Sequence, residues 1–326
     1  MNMVFDKPAS PDTSLGGPIL IAGFGSIGQR HLRNLRALGH KKFVIFRTGK
    51  STLPVDEISD IPVEFDLDKA LAHKPIAAII TNPTALHMSV ALAAARAGSH
   101  LFIEKPISHN LDGAEELQKI VDEKHLIVQV GFQFRFHPDL VKIKRQIAKN
   151  KIGKIVSVQA YWGEYLPDWH PWEDYKKSYS AREELGGGVL LTLCHPFDYL
   201  RFLFGEVESV SAMQSKSNIL KIDVEDIADV LLRFKSGIIG NVHVDYIQRP
   251  AKHVLRIIGQ NGIIQLDFLK SQSERNSMFV SEMKHFLSCL KTGKQPKCSF
   301  DDGIAALKVV LAAKESINKK RLITYD

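Results

Sequence analysis

Over the first 130 positions the chain alternates short unbroken apolar runs with stretches whose apolar residues recur at helical spacing. Runs at 19–22, 43–46, 76–81, 101–104 and 126–130 predict strands. Between them, 27–38 carries Leu32, Leu35 and Leu38 on one helical face until Gly39 stops it, and 68–73, 85–97 and 111–124 also predict helices. Strands alternating with helices through short connections predict a parallel sheet covered on both faces.

The pattern changes after Gly131. A helix at 138–149 is followed by strand-like runs at 155–161, 207–214, 229–234, 238–244, 254–258 and 263–267, with Ser236-Gly237 and Asn261-Gly262 as tight-turn pairs. This half predicts a large, mostly antiparallel open sheet. Helices at 189–204 and 278–290 are expected to cover one face, leaving the other free to pair with a second subunit as a homo-oligomer, dimer or tetramer. A closing amphipathic helix at 303–318 is expected to pack back across the boundary. The fold class is therefore α/β, a doubly wound parallel sheet followed by an α+β domain. The expected division is 1–131, with 1–17 a loose leader, and 132–326.

A chain of 326 residues with 44% hydrophobic and 24% charged content supports two domains, each with its own core. No run is long and apolar enough to cross a bilayer, and residues 1–18 have no apolar core of a signal peptide, so no membrane partner is expected. Cys194, Cys289 and Cys298 form no Cys-x-x-Cys pair or disulfide framework, which fits a reduced cytoplasm. The net charge of +7 is dispersed along the chain with no aromatic-basic RNA motif, so a surface favouring small anionic ligands is expected rather than nucleic acid.

Candidate chemistry begins at Gly23-Phe24-Gly25-Ser26-Ile27-Gly28, between the first strand and first helix. Its glycines suit a tight turn, close backbone approach to a pyrophosphate and close helix–strand packing, and the helix N-terminus adds free N–H groups. About 20 residues on, where an acidic residue would receive a ribose 2′-hydroxyl, stands Phe46-Arg47-Thr48-Gly49-Lys50. Arg47, supported by Thr48 and Lys50, can pair with a 2′-phosphate, which favours NADP(H) with NAD(H) possible; a plain surface arginine is the other reading. Thr81-Asn82-Pro83 closes a strand on the same carboxyl edge. Asn82 fits either a cofactor contact or a helix cap, and His87 either the cofactor site or the surface.

Glu104-Lys105-Pro106 exits the next strand there, with Pro106 restricting Lys105 through an extended conformation or a cis bond, and Glu104 placed to orient it. Lys105, its pKa lowered beside a nicotinamide cation, suits proton exchange with a substrate hydroxyl. Gly186-Gly187-Gly188, read as a close approach to a ligand, leads to Thr192, His195, Pro196 and Asp198. Pro196 leaves the Thr192 carbonyl without its helical donor, for a substrate hydroxyl or water to supply. His195 suits general acid/base work. His195 and Asp198 lack a third metal ligand at suitable spacing, so no metal is expected. Trp162, Tyr165, Trp169, His170, Trp172, Tyr175 and Tyr179 cluster in 161–179, either to stack sugar rings or to pin a loop or subunit contact. Of these, Trp162, Trp169, His170 and Tyr179 join Thr192 and His195 as expected substrate contacts. Arg182 is placed to receive a carboxylate or phosphate.

Together the glycine turn, Thr81-Asn82-Pro83 with His87, Glu104-Lys105-Pro106, Phe132-x-x-Arg135-Phe136-x-Pro138, the glycine triplet with His195 and Asp198, and Asp302-Gly303 resemble the Gfo/Idh/MocA family of oxidoreductases, from about Pro18 onward. The resemblance implies a Rossmann domain with Glu104 and Lys105 at the cofactor, and an open sheet that mediates oligomerisation. It also implies NAD(P)-dependent chemistry on sugars, inositols or nucleotide-linked sugars, carried by Lys105 and His195. Thr192 departs from the family pattern, where many members carry Asp. A non-sugar substrate, or a non-catalytic NADP-binding sensor, is the alternative expectation.

Overall fold

The computed structural model describes residues 16–49, 56–271 and 275–324. Lys50 and most of the 1–17 leader lie outside these. The first half runs β1 (Ile19–Ala22), α1 (Ser26–Ala37), β2 (Phe43–Phe46), β3 (Val63–Glu64), α2 (Leu67–Ala72), β4 (Ala77–Ile80), α3 (His87–Arg96), β5 (His100–Glu104), α4 (Ala114–Glu123) and β6 (Val128–Gly131). Its strands form one parallel sheet in the order β3-β2-β1-β4-β5-β6. Every residue of β1 and β4 is buried, which is why both read as unbroken apolar runs. The strand order reverses between β1 and β4, and the carboxyl ends there open the crevice in which ligands of such sheets bind.

The second half contains α5 (Pro138–Ala148), β7 (Ile155–Tyr165), α6 (Val189–Thr192), α7 (His195–Phe204), β8 (Val207–Ser215), β9 (Ile227–Phe234), β10 (Ile239–Asp245), β11 (Ile247–Gly259), β12 (Gly262–Asp267), α8 (Arg275–Thr292), α9 (Phe300–Lys319) and β13 (Ile323–Thr324). Its sheet has the order β12-β11-β7-β10-β9-β8-β13 and is antiparallel except for the β7–β10 pair. The edge strands β3 and β13, two residues each, carry too little pattern to be seen in sequence. Both β7 and β11 run further than their apolar patterns. Lys252 pairs with Gly163 and Ile247 with Tyr165 across a bulge, in a largely exposed polar stretch of β11.

Two helical expectations need correction. The helix over 189–204 is two helices, broken at Leu193 and Cys194, because Pro196 has no N–H for the Thr192 carbonyl. The helix over 278–290 does not cover the second sheet. Met283, Phe286, Leu287 and Cys289 of α8 join Ile19, Ile21, Phe102 and Ile127 in a core on the first sheet. Phe286 meets Phe102 edge-on with ring centres 5.6 Å apart. An apolar stripe demands burial but does not say against which sheet.

The closing helix α9 starts at a capping box in which Ser299 and Asp302 satisfy each other's backbone N–H groups. A side chain at Gly303 would come within 2.6 Å of Val130, so the glycine lets α9 lie against β6 of the first domain. Val130 N–H donates to the Cys298 carbonyl at 3.0 Å beside it. Among the described residues no helix is long and apolar enough to cross a membrane.

Candidate active site

The glycine turn is built by the neighbouring strand. Gly23, at φ +94°, lies so close to the β4 exit that a Cβ would stand 2.5 Å from the Asn82 nitrogen. One at Gly28 would stand 2.3 Å from the Gly23 carbonyl oxygen. The Thr81 hydroxyl ties the turn down by donating to the Gly23 carbonyl at 2.8 Å. Gly25 differs, since a Cβ there would meet nothing within 4 Å. Among the described residues no side chain caps α1, which leaves its first amides without a capping acceptor. The cradle fits the pyrophosphate of a dinucleotide. Ser26 is exposed and Ile27 half-buried, whereas the Phe24 ring is buried in the core beside Ile21 and Ile45, leaving only its backbone to serve the turn.

At the end of β2, Arg47 is half-buried and Thr48 exposed. The Arg47 N–H donates to the Glu64 carbonyl, while its guanidinium Nε is buried without a partner among the described residues. Among the described residues no carboxylate forms an ion pair with it. At the end of β4, Asn82 caps no helix with its side chain, and its Oδ1 is buried without a partner among the described residues. Pro83 begins a 3₁₀ turn over Thr84–Leu86 that precedes α3. His87, first residue of α3, is not on the surface: it is 2% exposed and wedged between two loops.

Glu104 is also placed differently from expectation. Its carboxylate pairs with the buried His31 at 2.7 Å and accepts the Lys105 backbone N–H at 3.2 Å, so it braces the strand exit instead of orienting the ammonium. Burial pushes its pKa up, but His31, Lys105 and these hydrogen bonds outweigh that and hold it down.

Lys105 is half-buried and followed by a cis peptide to Pro106. Its ammonium donates to the Thr192 carbonyl at 2.9 Å, the carbonyl that Pro196 leaves without a helical partner. Burial lowers its pKa, yet the surrounding groups, Tyr179, Cys194, Glu104 and Glu164, raise it overall, so it stays cationic. A depressed lysine is therefore not a feature of the protein alone. Thr192 itself is buried.

His195, first residue of α7, is 6% exposed and ringed by Phe134, Trp162 and Phe132 at 4.8, 5.8 and 6.0 Å between ring centres. Its Nε2 lies 3.4 Å from the Gln133 amide, and its Nδ1 is buried without a partner among the described residues. Burial first, then Lys105, Arg275 and His253, push its pKa well down, so the imidazole is neutral at neutral pH. Cys194 is pushed up to about 12 by burial and stays a thiol.

The wall beside His195 contains residues that sequence reasoning missed. Trp162 stacks on His253 at 3.8 Å and 12°, across the β7–β11 pairing, and donates from its indole to Glu164 at 3.1 Å. His253 completes the group at 2.8 Å from the Glu164 carboxylate. The only sequence signal was proximity to the aromatic stretch, since β7 runs past its apolar pattern.

Several expected residues stand elsewhere. The glycine triplet is pressed against its own chain, not held open for a ligand: a Cβ at Gly187 would lie 2.5 Å from the Tyr179 carbonyl oxygen, and one at Gly188 2.4 Å from Glu225. Trp169 packs edge-on to Tyr246 at 5.6 Å, His170 lies against the exposed Trp172, and the Tyr175 hydroxyl is fixed to the Leu220 carbonyl. Tyr179 is half-buried near Lys105. Arg182 is paired with Glu184. Asp198 takes a bidentate bond from Arg135 at 2.7–3.1 Å, deep in the core, and serves packing. Among the described residues no group of three or more His, Cys, Asp or Glu could hold a metal ion.

A doubly wound sheet with a dinucleotide cradle, a lysine at its carboxyl edge and a neutral histidine facing it from an open-sheet domain define a nicotinamide-dependent oxidoreductase of CH–OH groups. Residues 18–132 match the family described as "Oxidoreductase family, NAD-binding Rossmann fold", and residues 140–265 match the "GFO/IDH/MocA C-terminal domain". The chain belongs to the Gfo/Idh/MocA family. It is 28% identical to a myo-inositol 2-dehydrogenase of Thermotoga maritima, over 94% of this chain and 98% of that one. It is 27% identical to a scyllo-inositol 2-dehydrogenase (NAD(+)) of Bacillus subtilis, over 94% and 95%. Its fold matches the WlbA dehydrogenase of Bordetella pertussis, solved with NADH and UDP-GlcNAcA, at a TM-score of 0.82 and 21% identity, over 95% and 98%.

Proposed function

We propose that this protein interconverts a secondary hydroxyl and a ketone on a sugar, polyol or sugar derivative, using NADP(H) in preference to NAD(H). One observation carries the reading: the Lys105 ammonium, at the carboxyl edge of the sheet that bears the glycine turn, donates to the Thr192 carbonyl at the α6–α7 break, three residues before His195. When bound, the nicotinamide accepts or gives the hydride at C4. In the oxidation direction the neutral His195 imidazole takes the hydroxyl proton. Lys105 keeps its charge and stabilises the oxygen as negative charge develops on it. In the reverse direction the protonated imidazole returns the proton to the same oxygen.

The wall supports the substrate class. Glu164 and Gln133 offer oxygen acceptors to hydroxyl groups beside the reacting carbon, and Trp162 offers an apolar face. The two inositol dehydrogenases among the relatives act, by name, on such polyols. An open cavity of about 650 Å³ at the 176–184 segment has a wall of mixed charge, with Lys176, Lys177, Arg182 and Lys221 beside Glu183, Glu184 and Asp223, and Arg182 already paired with Glu184.

Arg47 supports the cofactor preference, since no carboxylate pairs with it among the described residues. The outer face of the second sheet supports a homo-oligomer: Leu231, Ile239, Ile263 and Met213 are exposed there. The deciding experiment is a fluorescence titration with NADPH and NADH, for the wild type and Arg47→Asp, followed by turnover on a panel of inositols and sugars. Tighter NADPH binding that Arg47→Asp moves toward NADH is expected. Binding of neither would overturn the reading.

A further inference from the structure

His87 stands between the two segments that build the candidate site. Its Nδ1 lies 2.9 Å from the Pro106 carbonyl oxygen and its Nε2 2.8 Å from the Asn82 carbonyl oxygen. Both partners are main-chain carbonyls, which accept and never donate. A neutral imidazole carries one N–H, so it could serve one oxygen and would turn a lone pair toward the other. Both contacts are met together only by the doubly protonated ring. Asn82 belongs to the turn that packs against Gly23 of the dinucleotide cradle. Pro106 is the residue that follows Lys105.

We propose that His87 is a positioning residue that donates through both ring nitrogens and so ties the cofactor-facing turn at Asn82 to the catalytic-lysine loop at Pro106. The two loops leave neighbouring strands, β4 and β5, and His87 hydrogen-bonds to both. A shift of either loop would change the distance between the nicotinamide and Lys105. The inference rests on the reading of these loops as cofactor-facing and catalytic.

The charges around the ring are opposed. Burial pushes the imidazole pKa down and Lys105 adds to this, outweighing the two carbonyls and Glu104, which pull it up, so the electrostatics favour the neutral ring where the two acceptor contacts require the cation; His31, on α1, stands behind Glu104. Hydrogen bonds of ordinary length to two pure acceptors favour the cation, because neither could be replaced by water in a site 2% exposed.

The test starts with the wild-type protein free of cofactor. A long-range ¹H–¹⁵N spectrum at pH 7, with His87 assigned by its loss in His87→Phe or His87→Gln, should show both ring nitrogens protonated. A single neutral tautomer would overturn the double tie. Kinetics give the functional arm. His87→Phe should weaken NADPH or NADH binding several-fold and lower kcat by about 10–100-fold, the scale expected when a change remote from the chemistry misplaces the reacting groups. KM for myo-inositol, or for the best polyol on the panel, should change little. His87→Gln, which keeps one donor, should recover part of the loss. Unchanged cofactor affinity and kcat in a folded His87→Phe would also overturn the proposal. If the wild type binds neither cofactor, the reading of the site fails, while the imidazole spectrum still decides the tie.

Discussion

The Lys105 ammonium donates to the Thr192 main-chain carbonyl at 2.9 Å, and the link joins the exit of β5 in the first domain to the end of α6 in the second. The carbonyl is free to accept because Pro196 cannot donate to it. A break in one domain thus fixes the direction of a lysine in the other. Lys105→Met keeps the stem and removes the charge and all three donors. Its kcat should fall by about 10²–10⁴-fold, the usual range for losing a positioned acid or base, with cofactor affinity within a few-fold of wild type. Single-turnover kinetics beside a cofactor titration would check this. Full turnover in the variant would remove Lys105 from the chemistry.

With His195 as the proposed proton acceptor, the pH response is expected to follow this residue. Its pKa is pushed well below the ordinary value, chiefly by burial, so the neutral form that accepts a proton persists as pH falls from 8 through 6.5. The oxidation rate should show no loss attributable to this group across that window, and should decline only at lower pH. The sign for stability follows from the same shift. A depressed folded-state pKa gives stability that is present above the unfolded value, about 6.5, and lost as pH falls through the folded one. A kcat profile over pH 5–9, compared with that of His195→Asn, would show whether the acid limb belongs to this residue.

Glu282 on α8 is fully buried, and neither carboxylate oxygen has a partner among the described residues. Burial, then Glu104 and Asp198, push its pKa well up. A raised folded-state pKa gives stability that is complete below the unfolded value, about 4.3, and lost as pH rises through the folded one. Glu282→Gln removes that loss while keeping the shape. Its melting temperature should exceed that of the wild type by a few degrees at pH 8, with the gap closing toward pH 5. Scanning calorimetry at the two pH values would test it; an equal gap at both would rule out a titrating Glu282 as the cause.

Arg135 and Asp198 form the opposite case, a buried pair with its charges matched. Arg135 also donates to Asp302 at 3.0 Å and to the Lys297 carbonyl at 2.7 Å, linking the segment after β6 to α7 and α9. Asp198→Ala leaves the guanidinium without its main counter-charge and should destabilise the fold by about 3–5 kcal/mol. Urea unfolding would measure this. A variant that loses turnover at unchanged stability would instead make Asp198 part of the chemistry.

The first domain was legible because its signals are local. Apolar runs bounded by Gly39, Gly98 and the glycine turn define strands and helices from neighbours within a few residues. Lys105 stood out for the same reason, at a strand exit before proline. Glu164 and His253 were not legible: they are distant in sequence and meet only through the β7–β11 register, in strand ends whose polar residues hide the alternation. His87 read equally well as a surface residue, because nothing in its own helix tells that two loops close over it.

Local chemistry in the sequence determined the order of elements, the dinucleotide cradle, the strand-exit lysine, and the break that Pro196 imposes after Thr192. Tertiary structure alone decided which sheet α8 covers, that Lys105 is the donor for the Thr192 carbonyl, and that Glu104 braces His31 instead of the lysine. The physical reason is that periodicity states which face of an element must be buried and which polar groups need partners. Which surface and which partner answer that need depends on contacts between residues far apart in the chain, and only the packed fold selects them.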